Sequence, residues 1–390
     1  VTGDISKKYN ISETFATNYL YMAGLTIYST QDSSIQDKTE KEFEKTKYSL
    51  QSKKDGKSSQ AAMVIIDHKT GYVVGCVGGL GEKKEVRPLN RATQGIRQTG
   101  SSIKPLSVLI PAIDQKIITG ASIYDDTERD FEKGYHPTDY NKSLGKITVR
   151  RAVESSQNIP FVEIMEKLRP HNSIKYLEKM GITTLTEEDE NLVLALGGLQ
   201  KGISPLEMAG AYAMIANDGV YIEPTFYTNI NNNAGETIIK TSQDKKRVVN
   251  TDVAYIVKEL LTQPVIGSKG TATYCKIAGM DVSAKTGTTD ENYDRWLCGF
   301  TPYYTAATWY GFDENETIES NMKNPAGLLW SSVMTTIHSG LKGATYEKPS
   351  SVYSYTICED TGKRATKSCK NKYTEYFLDS TVPEECTSTH

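Results

Sequence analysis

The chain has 390 residues, 38% of them hydrophobic and 24% charged, with a formal charge of −3 from 45 Lys and Arg against 48 Asp and Glu. This balance excludes a strong electrostatic pull toward nucleic acid or an anionic membrane surface. At roughly 150 residues per domain, the length calls for two or three units. There is no run of about 18 apolar residues and no signal peptide, and the chain opens on Val1. It is therefore expected to be the excised soluble portion of a longer protein.

Residues 1–58 are polar and helix-prone, and form the first expected unit. Within them, Leu25 to Thr30 is β-branched and alternating, which predicts a strand. Asp32 or Ser33 then caps a charged helix expected to run to about Lys54, and Lys53 to Ser59 reads as a linker. A second unit, residues 59–347, begins with two apolar strands, Ala62 to Asp67 and Tyr72 to Val77. The segment His68-Lys69-Thr70-Gly71 between them is a hairpin turn. From about Ser101 to Asn217 the pattern is mainly helical. Strands return at Asp281 to Lys285, Arg295 to Thr301 and Ala306 to Phe312. A sheet divided between the two ends of a region, with helices inserted, predicts an α/β chain of the α+β kind: an antiparallel sheet covered by helices, plus a mainly helical subdomain.

Residues 348–390 form a third unit, poor in aliphatic side chains and holding Cys358, Cys369 and Cys386, three of the six cysteines. A segment that buries so little apolar surface needs a covalent or metal staple. Cys386 and His390 are four apart. Three thiolates and one imidazole from Cys358, Cys369, Cys386 and His390 would suit a closed structural zinc site. A disulfide such as Cys358 to Cys369, or three reduced thiols, would serve the same composition.

Histidine is a poor choice of general base. The five are His68, His136, His171, His338 and His390, and no Gly-x-Ser-x-Gly elbow accompanies them. There is no His-Glu-x-x-His and no phosphate loop. Lysine can replace histidine if it sits beside the nucleophile and is neutral near pH 7. Ser-x-x-Lys at a helix start meets both conditions: i and i+3 share a face, while burial and the helix N-terminus disfavour the ammonium. Ser-x-x-Lys occurs five times, at Ser101, Ser143, Ser242, Ser320 and Ser339. Only Ser101-Ser102-Ile103-Lys104 follows Thr99-Gly100 and opens an apolar stretch. Two further triplets stand in order behind it: Ser156-Gln157-Asn158, the sole Ser-x-Asn, and Lys285-Thr286-Gly287-Thr288-Thr289 at the end of a strand.

These three motifs in this order resemble the penicillin-recognising serine transpeptidases, specifically the bifunctional class A penicillin-binding proteins. The resemblance extends over nearly the whole chain. Gly24 to Asp32 is similar to the linker after their glycosyltransferase domain, for which 58 leading residues leave no room. Asn90-Arg91-Ala92-Thr93-Gln94, Ala195-Leu196-Gly197-Gly198, Ser204 to Ala209, Ala216 to Gly219 and Trp296 to Thr301 match as well.

The resemblance implies a D,D-transpeptidase that crosslinks peptidoglycan stem peptides. Ser101 would be the nucleophile, Lys104 its base and Ser156 a proton relay between Lys104, Lys285 and the leaving D-alanine. Asn158 would hold Lys104 and a substrate amide. Lys285, Thr286, Gly287, Thr288 and Thr289 would bind the donor peptide, with the backbone N–H groups of Ser101 and Thr288 as oxyanion hole. No catalytic cofactor is implied. The implied partners are D-alanyl-D-alanine donors, amine acceptors and β-lactams, with no nucleic acid. The implied location is the extracellular face of the bacterial cytoplasmic membrane, in an anchored parent. Three other activities share the motifs: a serine β-lactamase, a D,D-carboxypeptidase and a non-catalytic β-lactam sensor.

Overall fold

The computed structural model describes residues 1–83, 88–140, 142–242, 244–319 and 322–388. Its centre is a five-stranded sheet, antiparallel throughout, in the order Ser283–Thr288, Asp294–Phe300, Thr305–Gly311, Gln60–Asp67, Tyr72–Val77. The two halves expected from the sequence meet where Thr305–Gly311 pairs with Gln60–Asp67. The hairpin turn closes as expected, with the Gly71 N–H donating to the Asp67 carbonyl at 2.8 Å.

The middle strands are apolar on both faces because helices cover both. Trp296, Cys298, Phe300, Ala307, Trp309 and Val64 face the larger core, which includes Met208, Tyr212 and Ile215 of helix Pro205–Ala216. Leu297, Ala306, Tyr310, Met63 and Ile65 face the other way, toward Leu329, Trp330 and Val333 of helix Pro325–Ile337. The result is the expected antiparallel sheet covered by helices.

The helical segment between the sheet halves is punctuated by its own sequence. Thr148 caps Val149–Ser155 by accepting from the Arg151 N–H. Ser204 and Glu207 form a capping box on Pro205–Ala216, with Pro205 at the first turn, where its missing N–H costs nothing.

Some boundaries differ from expectation. The helix capped by Asp32 spans Ser33–Phe43 and stops well short of Lys54. Beyond Lys45 the chain turns so that Tyr48 is buried, its hydroxyl donating to Glu42 at 2.5 Å and its carbonyl accepting from Tyr310 at 2.7 Å. The strand Thr26–Ser29 pairs with Tyr227–Asn231, a partner some 200 residues away. The strand expected over Asp281 to Lys285 runs Ser283–Thr288, carrying the whole Lys-Thr-Gly-Thr run.

In the tail, Val352–Cys358 pairs antiparallel with Lys372–Leu378. This hairpin packs against the helical region through Ala121, Ile357 and Phe377. Glu375, fully buried, receives the Arg150 guanidinium in a bidentate pair, Nε to Oε2 at 2.7 Å and Nη2 to Oε1 at 2.5 Å. Among the described residues no helix is long and apolar enough to cross a membrane.

Candidate active site

Ser101 lies in a tight 3-10 turn, Gly100–Ile103, followed by a π-turn over Pro105–Leu109 and a short α-helix, Ile110–Asp114. The expected helix start is thus three pieces. Pro111 has no N–H to give the preceding turn, and the Ser107 carbonyl accepts from Ser173 Oγ at 2.7 Å. The turn is anchored from several sides: Ser102 Oγ donates to the Thr99 carbonyl at 2.7 Å, Tyr212 Oη to the Ser102 carbonyl at 2.6 Å, and Trp296 Nε1 to the Gln98 carbonyl at 2.8 Å.

The edge strand Ser283–Thr288 presses directly on this turn. A Cβ on Gly287 would lie 2.3 Å from the Thr99 carbonyl oxygen and 2.9 Å from Ser102 Oγ. A Cβ on Gly100, whose φ is +50°, would lie 2.1 Å from the Thr288 carbonyl oxygen. Glycine at 287 is therefore demanded by contact with the Ser101 turn itself, rather than by room for a ligand. The same contact brings Thr288 beside Gly100-Ser101.

Ser156 ends the helix Val149–Ser155 in the left-handed conformation, φ +61°. That reversal turns the backbone of Ser156-Gln157-Asn158 inward. Lys104 Nζ donates to the Ser156 carbonyl at 3.0 Å, the Gln157 carbonyl at 2.8 Å and Asn158 Oδ1 at 2.6 Å. It also sits 4.9 Å from the centre of the Phe161 ring. From the other side Lys285 Nζ donates to Ser156 Oγ at 2.6 Å and to the Thr286 carbonyl at 3.1 Å. Ser156 thus bridges the two lysines, by its carbonyl to one and its hydroxyl to the other. Among the described residues the Ser101 hydroxyl has no hydrogen-bond partner.

Both lysines are 0% exposed. Burial, reinforced by the positive charge of Lys285, pushes Lys104 well below the ordinary lysine range against the opposing pull of Asp139 and Asp126. Burial brings Lys285 down to about 7. Both amines are thus biased toward the neutral form, and the Ser156 hydroxyl, held by Lys285, lies on the same residue whose carbonyl holds Lys104.

The remaining predicted residues take distinct places. Asn158 holds Lys104 with Oδ1, and its Nδ2 donates to the Thr138 carbonyl at 2.7 Å. Thr286 Oγ1 donates to Thr271 Oγ1 at 2.9 Å, and Thr288 Oγ1 accepts from Arg295 Nη1 at 3.0 Å. Thr289 is buried and reciprocates with Asp294, accepting from its N–H at 2.9 Å and donating to its carboxylate at 3.3 Å. The histidines are engaged elsewhere: His68 with Thr305, His338 with Thr301 and Met334, His136 with Asp130 and His171 with Glu190.

Sequence reasoning missed a carboxylate pair beneath the Ser156 turn. Asp139 accepts from the Asn158 N–H, and Asp126 accepts from Gln157 Nε2 at 2.5 Å and the Leu144 N–H at 2.8 Å. Each keeps one buried oxygen, Asp139 Oδ2 and Asp126 Oδ1, without a hydrogen bond among the described residues. Burial first, with the neighbouring Asp126, pushes the Asp139 carboxyl up to about 7. No spacing rule joins residues in polar loops to a helix end, so nothing in the sequence marked them.

In the tail, the sulfurs of Cys358, Cys369 and Cys386 lie within 4.8 Å of one another, and all three residues are buried. His390 and Ser320 lie outside the described residues.

The chain is similar to known proteins along its whole length. The family model for the penicillin binding protein transpeptidase domain matches residues 61–324, and that for the penicillin-binding protein 1A C-terminal domain matches residues 348–390. Penicillin-binding protein 1A of Clostridium botulinum (strain Hall) is 33% identical over 410 aligned residues, covering 100% of this chain and 49% of that protein. Penicillin-binding protein 1F of Bacillus subtilis is 32% identical, over 90% of this chain and 48% of that protein. The chain spans about half the length of the curated relatives it matches. Among solved structures, penicillin-binding protein 1A from Haemophilus influenzae superposes with a TM-score of 0.82 at 19% identity, over 100% of this chain and 76% of that one. PonA1 from Mycobacterium tuberculosis in complex with penicillin V gives 0.76 at 26% identity, over 90% and 94%.

Proposed function

Because the chain belongs to the penicillin-binding protein transpeptidase family, we propose that it is a D,D-transpeptidase joining peptidoglycan stem peptides through an acyl-enzyme on Ser101. The observation that carries this reading is the pair of buried lysines meeting at Ser156 beside the Ser101 turn.

Ser101 Oγ attacks the carbonyl carbon of the penultimate D-alanine. Neutral Lys104, one helical turn away, takes the hydroxyl proton. The backbone N–H groups of Ser101 and Thr288 receive the developing oxyanion, each worth about 3–4 kcal/mol of transition-state stabilisation. The C–N bond then breaks. The departing amine of D-alanine takes a proton delivered through Ser156 Oγ, which Lys285 replenishes. An amine from a second stem peptide attacks the ester and loses its proton to the same relay, while Lys104 returns the proton it took to Ser101 Oγ as the ester C–O bond breaks. For Lys104 to act as base it must first give up one of its three acceptors, because a neutral amine keeps two N–H donors and a lone pair. Asn158 and the Lys285-Thr286-Gly287-Thr288 strand hold the donor peptide, and the Lys285 ammonium draws its terminal carboxylate. Thr289 contributes by fixing the turn to Asp294.

A β-lactam presents the same acyl group and stays on Ser101 as an ester. In a longer, membrane-anchored parent this unit works on the extracellular face of the bacterial cytoplasmic membrane. Residues 1–58 form its linker, 59–347 the catalytic unit and 348–390 an appended tail. Incubation with a D-alanyl-D-alanine stem peptide and an amine acceptor should release D-alanine and form the crosslinked dipeptide. Release of D-alanine with only hydrolysed donor would make it a carboxypeptidase. A stable penicillin adduct with no peptide turnover would make it a sensor.

A further inference from the structure

The tail hairpin has little apolar substance. Among the described tail residues, apart from Val352, Ile357 and Phe377, the buried ones are Gly362, Glu375 and the three cysteines, which cluster with Ala365. Three separate segments deliver the thiols. Cys358 ends the first strand, Cys369 precedes the second, and Cys386 follows the 3-10 turn Asp379–Thr381. Main-chain bonds draw these segments together: the Cys386 N–H donates to the Arg364 carbonyl at 2.8 Å, and the Cys358 N–H to the Lys363 carbonyl at 2.8 Å. Donors also point at sulfur. The Thr366 N–H lies 3.4 Å from Cys369 Sγ, and Thr361 Oγ1 lies 3.4 Å from Cys386 Sγ.

A tetrahedral zinc ion with bonds of about 2.3 Å sets its sulfurs about 3.8 Å apart. Three sulfurs mutually within 4.8 Å need only a small inward adjustment to reach that spacing. A disulfide uses two of them and strands the third in a buried, apolar-poor centre. We propose that Cys358, Cys369 and Cys386 bind one zinc ion as three thiolates, and that this ion holds the tail hairpin in its docked form. Binding releases three thiol protons to solvent and strips water from the hydrated ion, leaving one water in the fourth tetrahedral position, with no change of oxidation state. The consequence reaches the catalytic unit. Glu375 on the second tail strand grips Arg150, and Arg150 lies on the helix that ends at Ser156. The zinc is a structural staple whose loss loosens the support of that helix.

The test uses the whole untagged chain, purified with a reductant and without added metal, then titrated with zinc sulfate against a chromogenic chelator. The expected result is about one equivalent bound, cobalt substitution giving intense thiolate-to-metal absorption, and hydrogen exchange over residues 352–386 that speeds up when the metal is removed. Cys369→Ser, which leaves two thiols, should weaken zinc binding at least about tenfold. Should that variant fail to fold, the wild-type titration decides alone. Binding of less than about a tenth of an equivalent by the reduced chain would overturn the proposal. So would native protein whose mass is about 2 Da low with a Cys358–Cys369, Cys358–Cys386 or Cys369–Cys386 disulfide. Penicillin labelling of Ser101 is followed in the same samples: a chain that labels at Ser101 but binds no zinc overturns the zinc site alone, and one that binds zinc but does not label overturns the catalytic reading alone.

Discussion

Lys285 reaches across 129 residues of sequence to donate its ammonium hydrogen to the hydroxyl of Ser156 at 2.6 Å. The bond joins the edge strand of the sheet to the end of a helix. Lys104 holds the carbonyl of the same serine, so one residue fixes the relative position of both amines.

Ser101→Ala should abolish the mass adduct formed with penicillin and leave the melting temperature nearly unchanged. The Ser101 side chain makes no hydrogen bond among the described residues, so its loss removes chemistry and little else. An adduct that survives, or that maps to Ser143 or Ser242, would refute the assignment.

Lys104→Met should slow acylation on the order of 10²–10⁴-fold, the usual worth of a positioned general base. The methionine stem fills the buried space without charge, so folding should persist. An acylation rate within about threefold of wild type would mean that another group takes the Ser101 proton.

Lys285 ties stability to pH. Its folded value is about 7, against about 10.4 in an unfolded chain. Between those values the unfolded state binds more protons, so stability rises with pH across this window and the burial cost is felt in full below it. Lys104, lowered for the same reason, adds to the slope. Lys285→Met should cut that slope by up to about 1.4 kcal/mol per pH unit. Urea unfolding at several pH values from about 7.5 to 9.5 measures it, and an unchanged slope would contradict the shift.

Asp139 runs the other way. A carboxyl raised from about 3.9 to about 7 favours the folded state when protonated, so its contribution fades as pH climbs through that window. Asp139→Asn should flatten this decline, with a gain on the order of 1 kcal/mol at pH 8 once solvent screening is allowed for. It also removes a carboxylate that raises Lys104, so the pH limb of penicillin acylation should move to lower pH. A limb that stays in place would show that Asp139 does not act on Lys104.

The Arg150–Glu375 pair is the polar bond between tail and helix. Glu375→Gln leaves the guanidinium buried without its counter-charge and should cost about 3–5 kcal/mol. The loss should appear first as faster hydrogen exchange in residues 149–156 and 352–378. A change confined to the tail would separate the tail from the catalytic helix.

Much of the fold was legible in one dimension. The hairpin of residues 60–77 is two apolar runs that turn at a glycine, and Asp32 caps a helix by a short-range hydrogen bond. Local periodicity and capping report such features because their partners lie within a few residues. The early end of the helix at Phe43 was not legible, because Tyr48 is pulled into place by Tyr310, far along the chain. The pairing of Thr26–Ser29 with Tyr227–Asn231 was hidden for the same reason.

By itself the sequence determined which groups are proposed to react. The order Ser101–Lys104, Ser156–Asn158, Lys285–Thr288 singled out the candidate nucleophile and the two amines, because that reading depends on residue type and short spacing. Tertiary structure alone decided their electrostatics and their support. Only folding buries both lysines and shifts them toward neutrality, sets Asp139 and Asp126 beneath the Ser156 turn, and packs Gly287 against Thr99. Only folding gathers three cysteines spread over 29 positions into one cluster. Burial and cross-chain proximity depend on where distant segments meet, and no local pattern of residues encodes that.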